Sequence, residues 1–236
     1  MSKKTILIIG SSGGLGSSIL SSFDEAKYNL ALHYFTNPIP LQSENHKSYK
    51  ADITEEDEVE KLIQDVVNDF GSVDIILNNA GVTISEMSWK TNLSNWDKTI
   101  AINLTGPFLV TKHALPYMRK NGFGRIVFMS SIVAQTGFVG ASAYAASKAG
   151  LFGLAKTISK EVANKGITAN SIALGYFNAG MIEDVPQNMQ DQLKEAIPVS
   201  ELGKPEELAE LIKYIISEKA SYLTGQTLNL NGGLYV

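Results

Sequence analysis

The stretch Ile6-Leu-Ile-Ile-Gly-Ser-Ser-Gly-Gly-Leu-Gly16 decides the fold of this chain. An apolar, β-branched run breaks into glycines and then resumes at 17–23 with helical periodicity, which predicts a strand, a tight loop and a helix. Glycines at 10, 14 and 16 let the backbone turn sharply and approach a pyrophosphate, whose charge then meets unpaired N–H groups at the helix N-terminus. The spacing differs from the commonest dinucleotide pattern, G-x-G-x-x-G, so a plain glycine turn is the alternative.

The rest of the chain alternates between apolar runs and amphipathic segments, without repeats or an evident linker. Runs such as 6–9 and 73–77 suit strands that are buried on both faces, as in a parallel sheet covered by helices. With 236 residues, 44% of them hydrophobic, one compact domain spanning 1–236 is expected. The predicted architecture is α/β: a single-domain, doubly wound, Rossmann-like parallel sheet of about seven strands with helices on both faces. Strands are predicted at 4–9, 29–35, 47–51, 73–78, 125–130, 167–173 and 227–230, and helices at 14–23, 55–69, 93–120, 142–164 and 205–217.

Composition excludes several classes of function. The chain has no cysteine, so it can form neither a disulfide nor a thiolate metal cluster, and its three histidines show no ligand spacing. A net charge of −4 argues against a nucleic-acid surface, and every apolar run is shorter than the ~20 residues of a membrane span. The N-terminus leads directly into a predicted core strand, which leaves no room for a cleavable signal. A cytoplasmic location is therefore expected, with neither a metal nor a membrane.

Tyr144 and Lys148 are four residues apart on a predicted helix, so their side chains share one face. A phenol titrates near ~10 and carries protons poorly at neutral pH unless a neighbouring positive charge lowers its pKa. The expectation is that Lys148 supplies this charge and makes Tyr144 an acid and base. Y-x-x-x-K also occurs by chance in many helices, so the pair alone does not establish a site.

Several motifs occur in a fixed order, and together they resemble the short-chain dehydrogenase/reductase family over essentially the whole chain. They are Gly10-x-x-x-Gly14-x-Gly16, Asn78-Asn-Ala-Gly81, Asn103, Ser131, Tyr144-x-x-x-Lys148 and Leu223-Thr-Gly-Gln-Thr-Leu-Asn-Leu-Asn-Gly-Gly233. The resemblance implies an NAD(P)-dependent oxidoreductase in which the catalytic residues are Asn103, Ser131, Tyr144 and Lys148. Ser131, thirteen residues before Tyr144, takes the serine role, and Ser130 is expected to be structural. Asn103 could instead be a satisfied amide of the core.

The resemblance also implies which residues bind the nicotinamide cofactor. They are Gly10, Ser12, Gly14, Leu15, Gly16, Thr36, Asn37, Asp52, Ile53, Asn79, Ala80, Gly81, Tyr144, Lys148, Gly175 and Phe177. Asp52 could also be a turn residue before a helix. Residues 33–37 contain no carboxylate that would bind ribose hydroxyls, so NADP(H) is slightly favoured over NAD(H), with Lys47 or Lys50 as added positive charge.

Two segments depart from the family pattern. Two prolines within 37–46 prevent an ordinary helix, so a shortened, extended connection is expected there. Leu174, Ala179 and Gly180 replace a proline, a threonine and an acid that relatives carry near the nicotinamide. The segment that follows, around 178–200, is predicted to be a substrate lid, although a surface helix with an apolar inner face fits the same pattern.

Similarity is strongest to the 3-oxoacyl-[acyl-carrier-protein] reductase branch, notably at 165–170 and 222–227. This implies reduction of a 3-oxoacyl thioester to a secondary alcohol, with an acyl-carrier protein as partner and basic docking residues near the cleft. The candidates for docking are Arg119, Lys120, Arg125 and Lys165. A reductase or dehydrogenase of a small ketone, sugar or polyol is the alternative, followed by a non-catalytic cofactor-binding regulator. The family also implies a homotetramer built through the helices at 93–120 and 142–164 and through the C-terminal edge. The small residues between 141 and 153 would permit close helix contact there, but they could equally pack within one subunit.

Overall fold

A computed structural model describes residues 3–41 and 43–236. Seven parallel strands form one sheet in the order β3-β2-β1-β4-β5-β6-β7. The predicted Rossmann-like α/β architecture, with a parallel seven-stranded sheet, is confirmed. The strands are β1 Lys4–Ile9, β2 Tyr28–Tyr34, β3 His46–Lys50, β4 Ile75–Asn78, β5 Gly124–Ser131, β6 Ile167–Leu174 and β7 Thr227–Leu230.

Helices cover both faces of the sheet. They are α1 Gly14–Ser18, α2 Glu56–Phe70, α3 Leu93–Ile100, α4 Gly106–Asn121, α5 Val133–Thr136, α6 Ser142–Val162, α7 Gln187–Ala196 and α8 Pro205–Ile216. Short 3₁₀ turns lie at Leu20–Ser22, Ala163–Lys165, Gly180–Asp184 and Glu218–Ala220, and a π-helical turn lies at Ala101–Thr105. One apolar core joins the sheet to α2, α4 and α6, and a second joins its other face to α1 and α8.

The strand order reverses between β1 and β4, which are both hydrogen-bonded neighbours in the centre of the sheet although a long stretch of chain separates them. In a doubly wound sheet, ligands bind at the carboxyl edge where this reversal occurs, because the connections on either side diverge and leave a crevice. The glycine loop follows β1, and the segment Asn78–Gly81 follows β4. Both motifs therefore meet at this crevice.

Two predicted helices are shorter or less regular than expected. The helix expected at 14–23 ends at Ser18, where Ser17 and Ser18 donate side-chain hydrogen bonds back to the carbonyl of Gly14. Serine hydroxyls compete in this way with the backbone ladder, and a 3₁₀ turn follows. The helix expected at 93–120 is divided by the π turn at Ala101–Thr105.

The connection after β2 contains no helix in residues 35–41 and 43–45, as its two prolines predict. The chain passes directly to β3, which lies at the edge of the sheet. Among the described residues, no helix combines the length and apolarity that a membrane span needs, and no cluster of acidic, histidine or cysteine side chains could hold a metal ion.

Candidate active site

The glycine loop and the segment after β4 pack directly against each other. A Cβ atom on Gly10 would lie 2.7 Å from the Cα of Ala80, and Gly10 has a φ of +73°, so no other residue fits there without strain. The amide of Asn79 donates to the carbonyl of Gly10 at 2.9 Å, and the backbone N–H of Ala80 donates to Ile9 at 2.9 Å. The two motifs thus form one rigid floor beneath the crevice.

The N-terminus of α1 presents backbone donors to this crevice. The N–H groups of Gly14, Leu15 and Gly16 have no acceptor within the part of the chain that the structure describes, as is usual for the first turn of a helix. Gly180, at the start of the predicted lid, lies against this turn: a Cβ on Gly14 would be 2.3 Å from the Cα of Gly180. Glycine at both positions allows this close backbone contact.

Lys148 is held deep at the base of the site by α6. Its side chain is only 4% exposed, and its ammonium group donates to the carbonyl of Met129 on β5 at 2.8 Å. Ser130 donates to the backbone carbonyl of Lys148 at 2.8 Å and so fastens the helix to the strand, the structural role expected for it. Gly81 reaches the same point, because a Cβ there would lie 3.1 Å from the lysine nitrogen. Burial lowers the pKa of Lys148 to about 8.

Tyr144 lies one turn before Lys148 on α6, and the ammonium nitrogen is 5.9 Å from the centre of its ring. Burial raises the pKa of Tyr144 above the ordinary phenol value, the neighbouring Ser131 hydroxyl partly offsets this, and the phenol of Tyr176 adds to the rise. Burial thus outweighs the hydrogen bond from Ser131, and the effect of Lys148 on the pKa of Tyr144 stays a prediction. Desolvation of the phenolate dominates, since removing water from an anion costs more than the surroundings return.

Ser131 is the last residue of β5, and its hydroxyl neighbours the phenol of Tyr144. Its Oγ accepts a hydrogen bond from the backbone N–H of Val133 at 3.1 Å, which fixes the oxygen and leaves its own proton to donate. The Ser131 hydroxyl lies within hydrogen-bonding reach of the Tyr144 phenol at the carboxyl end of β5, and the ammonium nitrogen of Lys148 lies 5.9 Å from the centre of the Tyr144 ring. A pair of convergent hydroxyls is suited to bind one carbonyl oxygen.

Asn103 lies in the π turn and is fully buried. Its amide accepts from the N–H of Val82 at 2.8 Å and donates to the carbonyl of Val82 at 2.9 Å and to Ser147 at 3.1 Å. The side chain is thus a satisfied core amide, the alternative that the sequence left open. The backbone carbonyl of Asn103 lacks the ordinary α-helical hydrogen bond, because Pro107, four residues later, has no N–H to donate.

Sequence comparisons agree with this geometry. Residues 9–235 match the family model described as Enoyl-(Acyl carrier protein) reductase. The chain is 35% identical over 242 residues to a 3-oxoacyl-[acyl-carrier-protein] reductase of Staphylococcus epidermidis, covering 99% of each chain. It is 34% identical over 244 residues to the reductase of that name from Thermotoga maritima, covering 99% of this chain and 98% of the relative. It is also 35% identical over 243 residues to nodulation protein G of Azospirillum brasilense, covering 99% of each chain.

The chain belongs to the short-chain dehydrogenase/reductase family. Like the family, it is an oxidoreductase that acts on CH–OH and C=O groups, and it binds a nicotinamide cofactor. In this short-chain dehydrogenase/reductase the backbone donors at the start of α1 fit the pyrophosphate of such a cofactor. The turn has several unpaired N–H groups, and residues 10–16 include no carboxylate that would repel the phosphates.

At the end of β2, this short-chain dehydrogenase/reductase presents an exposed surface of Phe35, Thr36 and Asn37, with no acidic side chain. Lys50, which pairs with Tyr34 in the strand register, lies at the same edge. Lys47 does not contribute, because its ammonium group is held by Asp69 at 2.6 Å, near the end of α2. The expectation that Lys47 assists a ribose phosphate is therefore not supported. Lys47 lies near the amino end of β3, whereas Lys50 lies at its carboxyl end, on the side of the cofactor crevice.

Other predicted cofactor residues have their side chains turned into the protein. Asp52 accepts from the N–H and hydroxyl of Thr54 at 2.9 and 2.7 Å, so it forms the turn before α2. Ile53 packs in the core against Gly106, and Phe177 is buried against Gly203. Gly175 lies close to Asn231, after β7. Ile53, Gly175 and Phe177 can offer only their backbones to a ligand.

The basic residues expected near the cleft lie at the opposite edge of the sheet. Arg119 and Lys120 end α4 just before β5 begins, and Lys165 precedes β6, so all three are at the amino ends of strands. Arg125 is 2% exposed and donates to the carbonyls of Gly124, Gly166 and Ser217. The prediction that these residues form a docking surface near the cleft is wrong. They lie at the amino ends of the parallel strands, and the length of a strand separates them from the carboxyl ends, where the cleft lies.

The sequence pattern did not single out His33 as a contributor to the site. Its ring accepts from the backbone N–H of Gly10 and contacts the carbonyl of Ala51, so it joins the glycine loop to the chain before Asp52. A lone histidine in a strand carries no signal of this role. Only the parallel pairing of β1, β2 and β3 brings these backbone groups to its two nitrogens.

Proposed function

We propose that the chain is an NADP(H)-preferring reductase that converts the ketone of a 3-oxoacyl thioester to a secondary alcohol. The pair of hydroxyls of Ser131 and Tyr144, set above the buried Lys148, is the observation that carries this proposal. Full-length relatives that bear the name 3-oxoacyl-[acyl-carrier-protein] reductase support the substrate class. By their names, those relatives act on substrates held by an acyl-carrier protein, which is the partner we propose here.

The bound cofactor would supply a hydride to the carbonyl carbon. Tyr144 would give its proton to the carbonyl oxygen as negative charge develops there. Because burial raises its pKa, Tyr144 is a neutral phenol at neutral pH, which is the form that a general acid needs in the reductive direction. Ser131 would donate a second hydrogen bond to the same oxygen and stabilise the transition state.

Lys148 and Asn103 would return the proton to Tyr144. A lysine with a pKa of about 8 exchanges protons at a pH near neutrality far more readily than an exposed lysine. The carbonyl of Asn103, which Pro107 deprives of its helical partner, can accept a hydrogen bond from a water between Lys148 and solvent. Lys148 would also bind ribose hydroxyls of the cofactor, and the amides of Gly14, Leu15 and Gly16, with the hydroxyl of Ser12, would bind its pyrophosphate.

The same proposal covers the lid and the assembly. Residues around 178–200 form a 3₁₀ turn and α7, attached through Ile182 and Ile197 to a small core of their own, and we propose that they close over the substrate. We also propose a homotetramer that uses α4 and α6. The open groove between these helices, about 400 Å³, exposes Phe108 beside other apolar side chains. Light scattering would measure the assembly.

A panel of substrates with both reduced cofactors tests the function. The panel contains a 3-oxoacyl thioester on coenzyme A and on an acyl-carrier protein, the corresponding enoyl thioester, and a small cyclic ketone. We expect oxidation of NADPH with the 3-oxoacyl thioester, faster than with NADH, and a turnover about 10²–10⁴-fold lower with Tyr144→Phe. Reduction of the enoyl thioester alone would instead indicate an enoyl reductase, the activity that the family model's description names. Reduction of the small ketone alone would indicate a reductase of small ketones, sugars or polyols.

A further inference from the structure

His33 is the point at which three backbone segments of the cofactor site are tied together. It lies in β2, 2% exposed, and points to the same face of the sheet as Ala31. Its Nδ1 lies 3.1 Å from the backbone nitrogen of Gly10, and its Nε2 lies 2.9 Å from the carbonyl oxygen of Ala51. Its own carbonyl accepts from the N–H and the hydroxyl of Ser11, at 3.0 and 2.8 Å.

These partners determine the state of the ring. A backbone N–H can only donate, so Nδ1 must be the acceptor, and a carbonyl can only accept, so Nε2 must carry the proton. The imidazole is therefore neutral and has one defined tautomer. An imidazolium has a proton on both nitrogens and would direct an N–H at the N–H of Gly10.

We infer that neutral His33 is a positioning residue for the glycine loop, and that the affinity of the protein for its nicotinamide cofactor falls in acid because this residue loses its acceptor. The inference rests on the cofactor binding in the proposed function. Gly10 is the residue at which the chain leaves β1 with a φ of +73°. Its N–H would be a part-buried donor without a partner if Nδ1 were removed, which destabilises the loop conformation that leaves it unpaired. A loop that relaxes to find another partner would shift the first turn of α1.

The charged surroundings of the ring are few. Asp52, after β3, favours the imidazolium, but burial has the larger effect and lowers the pKa of His33 below its ordinary value. Tyr49, which pairs with His33 in the strand register, and Lys50 are the titratable groups at that end of β3, and Glu58 on α2 accepts from the N–H of Asp52. The glycine loop itself carries no titratable side chain. His33 is therefore protonated only at a pH below 6.5, the ordinary pKa of histidine.

Two substitutions separate the two nitrogens. His33→Asn keeps an oxygen where Nδ1 lies and so retains the acceptor for Gly10, whereas His33→Gln extends an amide toward Ala51 and loses that acceptor. Cofactor dissociation constants would be measured by calorimetry without substrate, using NADH, which lacks the 2′-phosphate that titrates in the same range. At a pH of about 7.5, we expect His33→Gln to bind about tenfold or more weakly and His33→Asn to stay within about threefold of the native protein.

The pH profile is the readout that a merely structural role would not change. Native affinity should weaken progressively as the pH is lowered from 6.5 to the most acidic pH at which the protein stays folded, while His33→Asn should hold its affinity over that range. Ser11→Ala, which removes the hydroxyl contact with the carbonyl of His33 and leaves Nδ1 intact, is the matched control and should follow the native profile. Thermal unfolding would be measured for every variant, and if His33→Gln does not fold, the native and His33→Asn profiles decide.

Equal binding by all variants, or a native affinity that is constant down to the most acidic pH at which the protein stays folded, would overturn this inference. A native protein that binds neither NADH nor NADPH would instead sink the proposed function. Cofactor binding without turnover of any carbonyl substrate would contradict the proposed reaction and leave the role of His33 standing.

Discussion

Replacing Lys148 by methionine should separate the stability of the protein from its catalysis. Burial lowers the pKa of Lys148 from 10.5 to about 8. One pKa unit corresponds to about 1.4 kcal/mol, so holding the ammonium group in the interior costs about 3 kcal/mol at neutral pH. Methionine keeps an apolar stem of similar length and removes the charge. It also leaves the carbonyl of Met129 without its donor, at a cost of about 1–3 kcal/mol.

The expected balance at a pH of about 7 is a variant whose free energy of unfolding is unchanged or up to about 2 kcal/mol higher, with turnover lost. The sign of the pH dependence follows from proton binding. The folded protein has the lower pKa, so between about 8 and 10.5 the unfolded chain binds more protons, and native stability rises with pH. Any advantage of Lys148→Met should therefore shrink by about 3 kcal/mol and become a loss at a pH near 10.5.

Urea unfolding at fixed protein concentration, at a pH of about 7 and of about 10, measures this difference. Lys156→Met is the matched control, because Lys156 is exposed on the same helix and should show no such pH dependence. A Lys148→Met variant whose stability relative to the native protein is the same at both pH values would refute the assignment of a buried, charged lysine. Full turnover in that variant would refute its part in the reaction.

Three further substitutions test individual parts of the site. Tyr144→Phe should lower kcat by about 10²–10⁴-fold with little change in the cofactor dissociation constant, since only the transferable proton is lost; unchanged turnover would remove Tyr144 as the acid. Ser131→Ala should lower kcat by about 10²-fold, and a change confined to KM would instead indicate simple substrate binding. Gly14→Ala should weaken cofactor binding by calorimetry and lower Tm, because its Cβ would lie 2.3 Å from Gly180; native-like binding would show that the lid moves away freely.

Local sequence signals were sufficient for the layout of strands and helices. The apolar runs at 6–9 and 73–77 both lead into buried strands of the sheet, and two prolines after β2 did exclude a helix in the described residues there. The boundaries moved where side chains compete with the backbone, as the serines do at the end of α1. The π turn before α4 was not predicted, because the hydrophobic periodicity used to find helices reports which residues face the core and not which backbone groups are hydrogen-bonded.

The site divides in the same way. The spacing of Tyr144 and Lys148 on one helix is a local property, and the sequence was enough to identify it. Whether the phenol becomes more or less acidic depends on how much water the surrounding elements exclude, and in the folded protein burial raises the pKa of Tyr144. Nothing in the sequence distinguishes Arg125 from a surface arginine, yet it is buried and donates to the carbonyls of three residues.

The sequence by itself determined the order of strands and helices, the glycine loop and the spacing of Tyr144 and Lys148 on one helix, because these depend on neighbours a few positions apart. Tertiary structure alone decided which backbone groups meet His33, which side of the sheet the basic residues occupy, and how burial shifts the pKa values of Tyr144 and Lys148. Those properties come from contacts between segments that are distant in the chain, and no local pattern of residues encodes the water that such contacts exclude.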